Sequence, residues 1–369
     1  MKSLFKAGVS LAAACCAFAA SPAIADDNHN TEPGDDPDGS LGINALDHAP
    51  IGVMGDHRHA QGEWMVSYRV MHMDMAGTQI GTDTAAPDQI VTTIPNRFFG
   101  EPGQPATLRI VPISMRMDMH MAGLMYGLSD DVTIMAMANY VTKEMDHTTF
   151  QGGMGTAELG TFRTSPAGFG DTKIAALIGL TDTVHINAGM SLPTGSITQT
   201  DDILTPMGGN PTVRLPYPMQ LGSGTFDLEP GVTYRDQTGR FGWGAQVRGT
   251  IRLGDNDEGY ALGDRAMATA WFAASLTQGI ALSARIEAQT LGRVDGIDPM
   301  IIGPVQTANP DFQGGESVTG LIGLNFAATN GALRGWRFGI EGGLTIVQDL
   351  NGPQMPTDFT LTAGVQKSF

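Results

Sequence analysis

Methionine and histidine crowd the first half of this chain in a pattern suited to soft-metal chemistry. The eight histidines are His29, His48, His57, His59, His72, His120, His147 and His185, and twelve of the 21 methionines fall between Met65 and Met145. The densest runs are VMHMDMAG (Val70–Gly77), SMRMDMHMAGLM (Ser114–Met125) and IMAMANY (Ile134–Tyr140). Thioether and imidazole suit Cu(I), and a thioether needs no deprotonation to bind. Strand-like alternation groups Met71, Met73 and Met75 on one face, Met115, Met117, Met119 and Met121 on another, and Met135 and Met137 on a third. Three such neighbouring ladders could pass a soft cation between weak sites. The preceding DHAPIGVMGDHRH (Asp47–His59) adds His48, Met54, Asp56, His57 and His59. His57 and His59 are one residue apart, close enough to chelate one ion in an extended or turned segment.

The competing reading is plain wall material. Methionine is an adaptable apolar filler, and a lone His48–His59 segment is commonly a structural turn. Alternation in the second run leaves two arrangements open. Arg116, Asp118 and His120 oppose Met115–Met121, yet Leu124 and Tyr126 share the parity of His120. Either a bulge intervenes, or the charged residues lie on the outer face near a rim.

Other constellations are weaker. Asp255, Asp257, Glu258 and Asp264 cluster in one loop, where oxygen ligands could hold Ca²⁺, but the spacing is not that of an EF-hand. No G-x-S-x-G, H-E-x-x-H or phosphate loop is present, so no enzyme is expected. No cofactor is required, and Cu(I) or Ca²⁺ are the candidate ions.

These residues must be positioned by elements, and the elements read as an export signal followed by strands. Lys2 and Lys6, the apolar run Val9–Ala20 and the small-x-small site Ala23–Ala25 form a signal peptide over residues 1–25. A lipoprotein signal at Cys15 or Cys16 lacks the leucine usual three positions upstream of the cysteine. Both cysteines fall in this segment, so the rest of the chain has no disulfide or thiolate site. The formal charge of −17 becomes −19 without Lys2 and Lys6, which disfavours nucleic acid as a partner. Residues 26–61 read as an acidic, disordered leader ending in the His/Met segment, which lies either in the periplasm, where it could anchor a partner, or inside the barrel mouth.

From residue 62 to 369, alternating segments are joined by connections of two kinds. Short turns fall at 127–131, 181–183, 237–240, 277–279 and 329–334; long polar loops fall near 77–106, 147–168, 195–224, 255–265, 293–316 and 349–357. Short and long alternate throughout, which predicts an all-β, transmembrane, antiparallel up-and-down barrel of about twelve strands, with short periplasmic turns and long extracellular loops. A soluble β-sandwich also alternates, but it does not account for the regular loop lengths. Parity places Asp171, Lys173, Asp227, Glu229, Arg235, Arg248, Arg252, Arg285, Glu287, Arg337 and Glu341 in a two-signed lumen. Paired with one another, the same residues would fill a closed barrel. Trp64, Tyr68, Tyr126, Tyr140, Tyr234, Trp243 and Trp336 are candidates for interfacial girdles. The last strand, DFTLTAGVQKSF, sets Phe359, Leu361, Val365 and Phe369 on one face, resembling the closing strand that barrel-assembly machinery reads in outer-membrane proteins. Lys367 interrupts that apolar parity.

Gly168-Phe169-Gly170-Asp171-Thr172 opening one strand, and Leu192-Pro193-Thr194-Gly195-Ser196 closing the next, resemble a family of outer-membrane transporters. That family is named for a phenol meta-cleavage pathway and is related to the porin that exports functional amyloid. His48–Met65, Leu215–Tyr234 and Arg252–Arg265 resemble a Met/His-rich branch of it. The resemblance implies a barrel in the outer membrane of a Gram-negative bacterium and a transporter of small solutes, with no substrate and no catalytic residue. Three expectations follow: a lipid-embedded channel, a soft-metal handler, or a closed barrel that anchors a periplasmic partner.

Overall fold

The computed structural model of the protein describes residues 44–369; the expected signal peptide and the leader up to residue 43 lie outside the described residues. Twelve strands, β1–β12, close into one antiparallel barrel. They are β1 (Trp64–Ala76), β2 (Ile110–Ser129), β3 (Val132–Phe150), β4 (Thr172–Gly179), β5 (Val184–Leu192) and β6 (Asp227–Thr238). The second half is β7 (Phe241–Arg252), β8 (Arg265–Thr277), β9 (Ile280–Leu291), β10 (Gly315–Ala327), β11 (Trp336–Gln354) and β12 (Thr357–Ser368). Each pairs with its sequence neighbours, and β12 returns to β1 with Ser368 opposite Met65 and Thr360 opposite Met73. Closure matters because a sheet edge in lipid would leave backbone N–H and C=O groups without partners.

Side-chain parity follows the sequence. Phe241, Val247, Ile251, Leu282, Ile286, Ile322, Leu324, Ile340 and Leu344 are exposed on the outside, whereas Asp227, Glu229, Gln246, Arg285, Arg337 and Glu341 are buried within. At the short-turn end, Trp64 packs on Tyr126 at 4.4 Å, and the Trp243 indole N–H donates to the Tyr234 hydroxyl over 3.3 Å. Trp336 stacks on Phe338 nearby, while Tyr140 is further along its strand, edge-on to Phe169. Lys367 shares the outward face of β12 with Phe359, Leu361, Val365 and Phe369. Its Nζ donates to the Arg334 carbonyl over 2.6 Å and lies over the Phe369 ring. The aliphatic stem thus keeps the apolar parity while the charge reaches the polar edge.

Two of the expected loops are shorter than their sequence suggests. β3 continues to Phe150 and pairs with Glu158–Thr164, leaving a turn of only 151–157. β11 continues to Gln354, well into the 349–357 loop. These hairpins extend past the apolar belt, where polar residues can sit on either face and the alternation signal fades. The 77–106 loop carries a short helix, α1 (Pro87–Thr93), whose Ile90 and Val91 pack against Leu108, Val111 and Phe150.

The sequence left residues 44–61 open between the periplasm and the barrel mouth. They run through the barrel interior as a plug. Ala45 N–H donates to the Gln278 carbonyl at the short-turn end, and Arg58 reaches the carbonyls of Asp130 and Thr181 over 3.1 and 3.0 Å. Ala45, Leu46, Ala49, Ile51 and Val53 are buried. Leu46 packs with Ala273, Ala281 and Ala327, and Ala49 and Val53 pack on Trp271. The plug crosses the Arg285–Glu341 pair at Gly52, where an added Cβ would collide with both side chains. It turns at Gly55, whose φ of 63° favours glycine.

One prediction separates the two faces. Ile286→Arg, six residues along β9 on the lipid face, is expected to destabilise the barrel in liposomes by about 2–4 kcal/mol. Gln289→Arg, on the lumenal parity, should cost far less. Urea unfolding of the two variants in the same vesicles checks this.

Candidate functional site

The β1–β2 register brings the methionine ladders together. Met71 opposes Met119, Met73 opposes Met117, and Met75 opposes Met115. On β3, Met135 opposes Met125 and Met137 opposes Gly123. All of these face inward, so methionine paves one side of the lumen. Met75, Met115 and Met145 pack with Leu215, Met219 and Met355 under the long loops, and Met65, Met125 and Met135 pack with Leu177.

The same parity answers the question left open for β2. Arg116, Asp118 and His120 lie on the outer face, and no bulge separates them from Leu124 and Tyr126. His120 accepts or donates at Nδ1 to the Tyr68 hydroxyl over 2.7 Å, so it cannot join Met117 and Met119 in one ligand set. His72 bridges Asp118 at 2.6 Å and Asp74 at 3.0 Å on that outer face. These charges fall at the long-loop ends of their strands, where the apolar belt gives out.

Two chambers occupy the lumen beyond the plug. The inner one, about 460 Å³, is bounded by Ile51–Met54 of the plug and by Met71, Met73, Met117, Met119, Met121, Met137 and Met267. Its charged lining is five basic side chains, Arg69, Lys173, Arg248, Arg265 and Arg285, against two acidic ones, Glu229 and Glu287. The wall is therefore net positive inside an acidic protein. The outer chamber, about 480 Å³, shares Met117, Met119, Lys173, Glu229 and Arg265 with it and is capped by Tyr217, Leu221, Leu262 and Val294 of the loops.

Most of the expected lumen residues are engaged. Lys173 and Arg248 both pair with Glu229, and Arg252 pairs with Asp227. Arg285 bridges Glu341 at 2.8 Å and Glu287 at 2.7 Å. Arg235 and Arg337 donate to plug carbonyls, those of Leu46 and Ala49, and Arg337 also reaches Gln366 and Asn325. Asp171 holds loops together: it accepts from Gly195 N–H at 2.9 Å and from the N–H and hydroxyl of Ser223 at 2.7 and 2.8 Å. Thr194 completes this clasp by accepting from Thr172 N–H and donating to the Gly170 carbonyl. The two short motifs singled out in the sequence thus dock on one another.

Sequence reasoning missed Arg69, Arg265 and the plug's wall contacts. Arg69 shares the parity of Met71 and was legible by alternation alone. Arg265 fell at the edge of an expected loop; it makes no ion pair among the described residues and lines both chambers. Gln246 donates to the Met54 carbonyl over 3.0 Å, and His185 Nε2 lies 2.9 Å from the Gly55 carbonyl.

Of the expected metal-ligating residues, the structure gathers His48, Asp56 and His57 at one point of the plug. Burial pushes the imidazoles of both His48 and His57 down, against the pull of Asp56. Burial alone would raise Asp56, but His57, His48 and Arg337 together hold it well below the usual carboxylate range. Met54 lines the inner chamber instead. The His59 ring lies edge-on to His57 with centroids 4.7 Å apart, and its Nδ1 is 3.3 Å from the Glu63 carboxylate. The acidic loop 255–264 does not converge: Asp255 and Asp257 are exposed, Glu258 pairs with Arg214, and Asp264 accepts from Arg252 N–H. A calcium site there lacks convergent oxygens.

The Arg285–Glu341 pair yields a prediction. Their side chains are 5% and 0% exposed, so solvent screens them little. Glu341→Ala, which strands Arg285 with Glu287 alone, is expected to cost about 3–5 kcal/mol. Arg285→Met/Glu341→Leu should recover most of that loss. Chemical unfolding of the three proteins measures both effects.

No protein-family model matches the chain, and no curated protein matches it. Solved structures do resemble it. The COG4313 outer membrane channel from Pseudomonas putida F1 aligns over 86% of this chain and 99% of its own, at TM-score 0.53 and 13% identity. The P. putida toluene transporter TodX aligns over 84% of this chain and 91% of its own, at TM-score 0.41 and 9% identity. At such identities the likeness to the COG4313 channel is one of fold: this chain is built as outer-membrane channel barrels are.

Proposed function

We propose that the protein is a non-enzymatic outer-membrane channel for small solutes that combine an apolar body with an anionic group. The carrying observation is the inner chamber, where a methionine wall faces a net positive wall with the unpaired Arg265. An apolar body gains by leaving water against the thioethers, and an anionic group gains from the positive potential focused in a low-dielectric cavity. The COG4313 structure, itself described as an outer membrane channel, supports the transport reading. The short-turn end then faces the periplasm and the long loops face outward. In this closed form the plug blocks the periplasmic half, so passage requires it to shift. The closing strand with Phe359, Leu361, Val365 and Phe369 serves as the assembly signal, and the meta-pathway resemblance supports a transporter without naming its solute.

A second reading, Cu(I) passage, draws on the paired sulfurs of Met71/Met119 and Met73/Met117. The positive wall works against a cation there, so the anionic solute is the stronger reading. Replacing Met71, Met73, Met117 and Met119 by leucine is expected to leave copper tolerance unchanged in cells expressing the protein. Lost tolerance would favour copper. The partner-anchoring alternative rests on the leader, and residues 44–61 of it are engaged by the wall instead.

Planar-bilayer recordings in a salt gradient test the main reading. Deleting residues 44–61 should raise single-channel conductance several-fold and give an anion-selective reversal potential, and Arg265→Glu in that background should shift it toward cations. Unchanged conductance, or cation selectivity in the deletion protein, would contradict the proposal.

A further inference from the structure

We propose that His48, Asp56 and His57 form a binding site for one divalent borderline cation, of the Zn²⁺ class, inside the plug. The site is a property of the plug and does not depend on which solute crosses the barrel. One ligand atom from each residue lies within 4.8 Å of the other two. The His48 and His57 rings meet edge-on, with centroids 4.2 Å apart and planes at 85°.

The polar atoms here are poorly satisfied without a ligand. His48 Nδ1 and both ring nitrogens of His57 are buried and have no hydrogen-bond partner. His57 Nδ1 is 3.0 Å from an Asp56 oxygen but is not aligned to bond with it. Buried, unpaired polar atoms cost stability, and a bound cation would take up one imidazole lone pair from each histidine. The second Asp56 oxygen accepts from Ala49 N–H over 2.7 Å, which fixes the carboxylate and leaves Oδ1 turned to the histidines. Such an outer contact is how metal-ligating carboxylates are oriented.

The donor set chooses the ion. Two imidazoles and one carboxylate suit Zn²⁺ and its neighbours in the first transition row, whereas Ca²⁺ takes six or more oxygens. Ligands bound at about 2.0–2.2 Å can be no more than about 4 Å apart, so a pair standing near the 4.8 Å limit would have to close in, whereas His57 Nδ1 and Asp56 Oδ1 at 3.0 Å already fit. Arg235 and Arg337 lie near enough to oppose a cation, and the Asp56 carboxylate offsets them. The three ligands flank the turn Ala49–Gly55, so the ion would clip its two ends together beneath the inner chamber.

The test is zinc titration of the detergent-folded protein, with folding checked by heat-modifiable migration and metal counted after gel filtration. One equivalent of Zn²⁺ per chain is expected, not displaced by excess Ca²⁺, with Co²⁺ giving d–d absorption at the same stoichiometry. His48→Ala and His57→Ala should each weaken binding at least about tenfold. Asp56→Asn, which keeps the size and loses the charge, should also weaken it, and His120→Ala on the outer face should not. Absence of saturable zinc binding by the folded protein, or binding of unchanged affinity in His57→Ala or Asp56→Asn, would overturn the proposal.

Discussion

Lipid offers the backbone no hydrogen bonds, and that one constraint organises the molecule. Every strand must pair on both sides, so the sheet closes through β12 on β1. Closure makes parity absolute within the apolar belt. One set of side chains meets hydrocarbon and the other a lumen that must accommodate Arg285, Glu341, Asp227 and Arg337. Those charges are tolerable because they pair, and because the plug supplies acceptors for the cations that the wall leaves over.

The plug and wall therefore depend on each other. The carbonyls of Leu46, Ala49, Met54 and Gly55 find partners in Arg235, Arg337, Gln246 and His185. A buried chain segment without such donors would be costly, and Arg337 without Ala49 would lose one of its three acceptors. The plug's apolar residues fill what a twelve-strand barrel leaves open near its short-turn end. The methionine wall and positive wall beyond it are what remain free for a solute.

Much of the barrel was legible in the sequence because its signal is local. Period-2 alternation and the regular loop lengths located the strands, and the lumenal placement of Asp227, Arg285 and Glu341 followed from the apolar neighbours on either side. The orientation of β2 was not legible, since Arg116, Asp118 and His120 lie past the belt, where charge no longer reports the lumen. The plug was legible only as one of two alternatives, for another reason. Residues 44–61 have no period and contain Pro50, Gly52 and Gly55, so they read as a linker; only contacts with strands far away in sequence make them core. The sequence spacing brought out the neighbours His57 and His59, whose rings lie 4.7 Å apart, but the approach of His48 and Asp56 to His57 depends on that turn.

The measurement that bears most directly on this account is disulfide trapping of the plug against the wall. Residues 44–369 contain no cysteine, and a Cβ added to Gly242 would lie 3.8 Å from that of Leu46, the separation found across disulfides. Leu46→Cys/Gly242→Cys in native outer membranes should oxidise spontaneously and resist thiol-reactive polyethylene glycol until reduced, while Leu46→Cys paired with the outward Val247→Cys should not. Two freely labelled thiols in the first protein would place residues 44–61 outside the lumen and contradict the account.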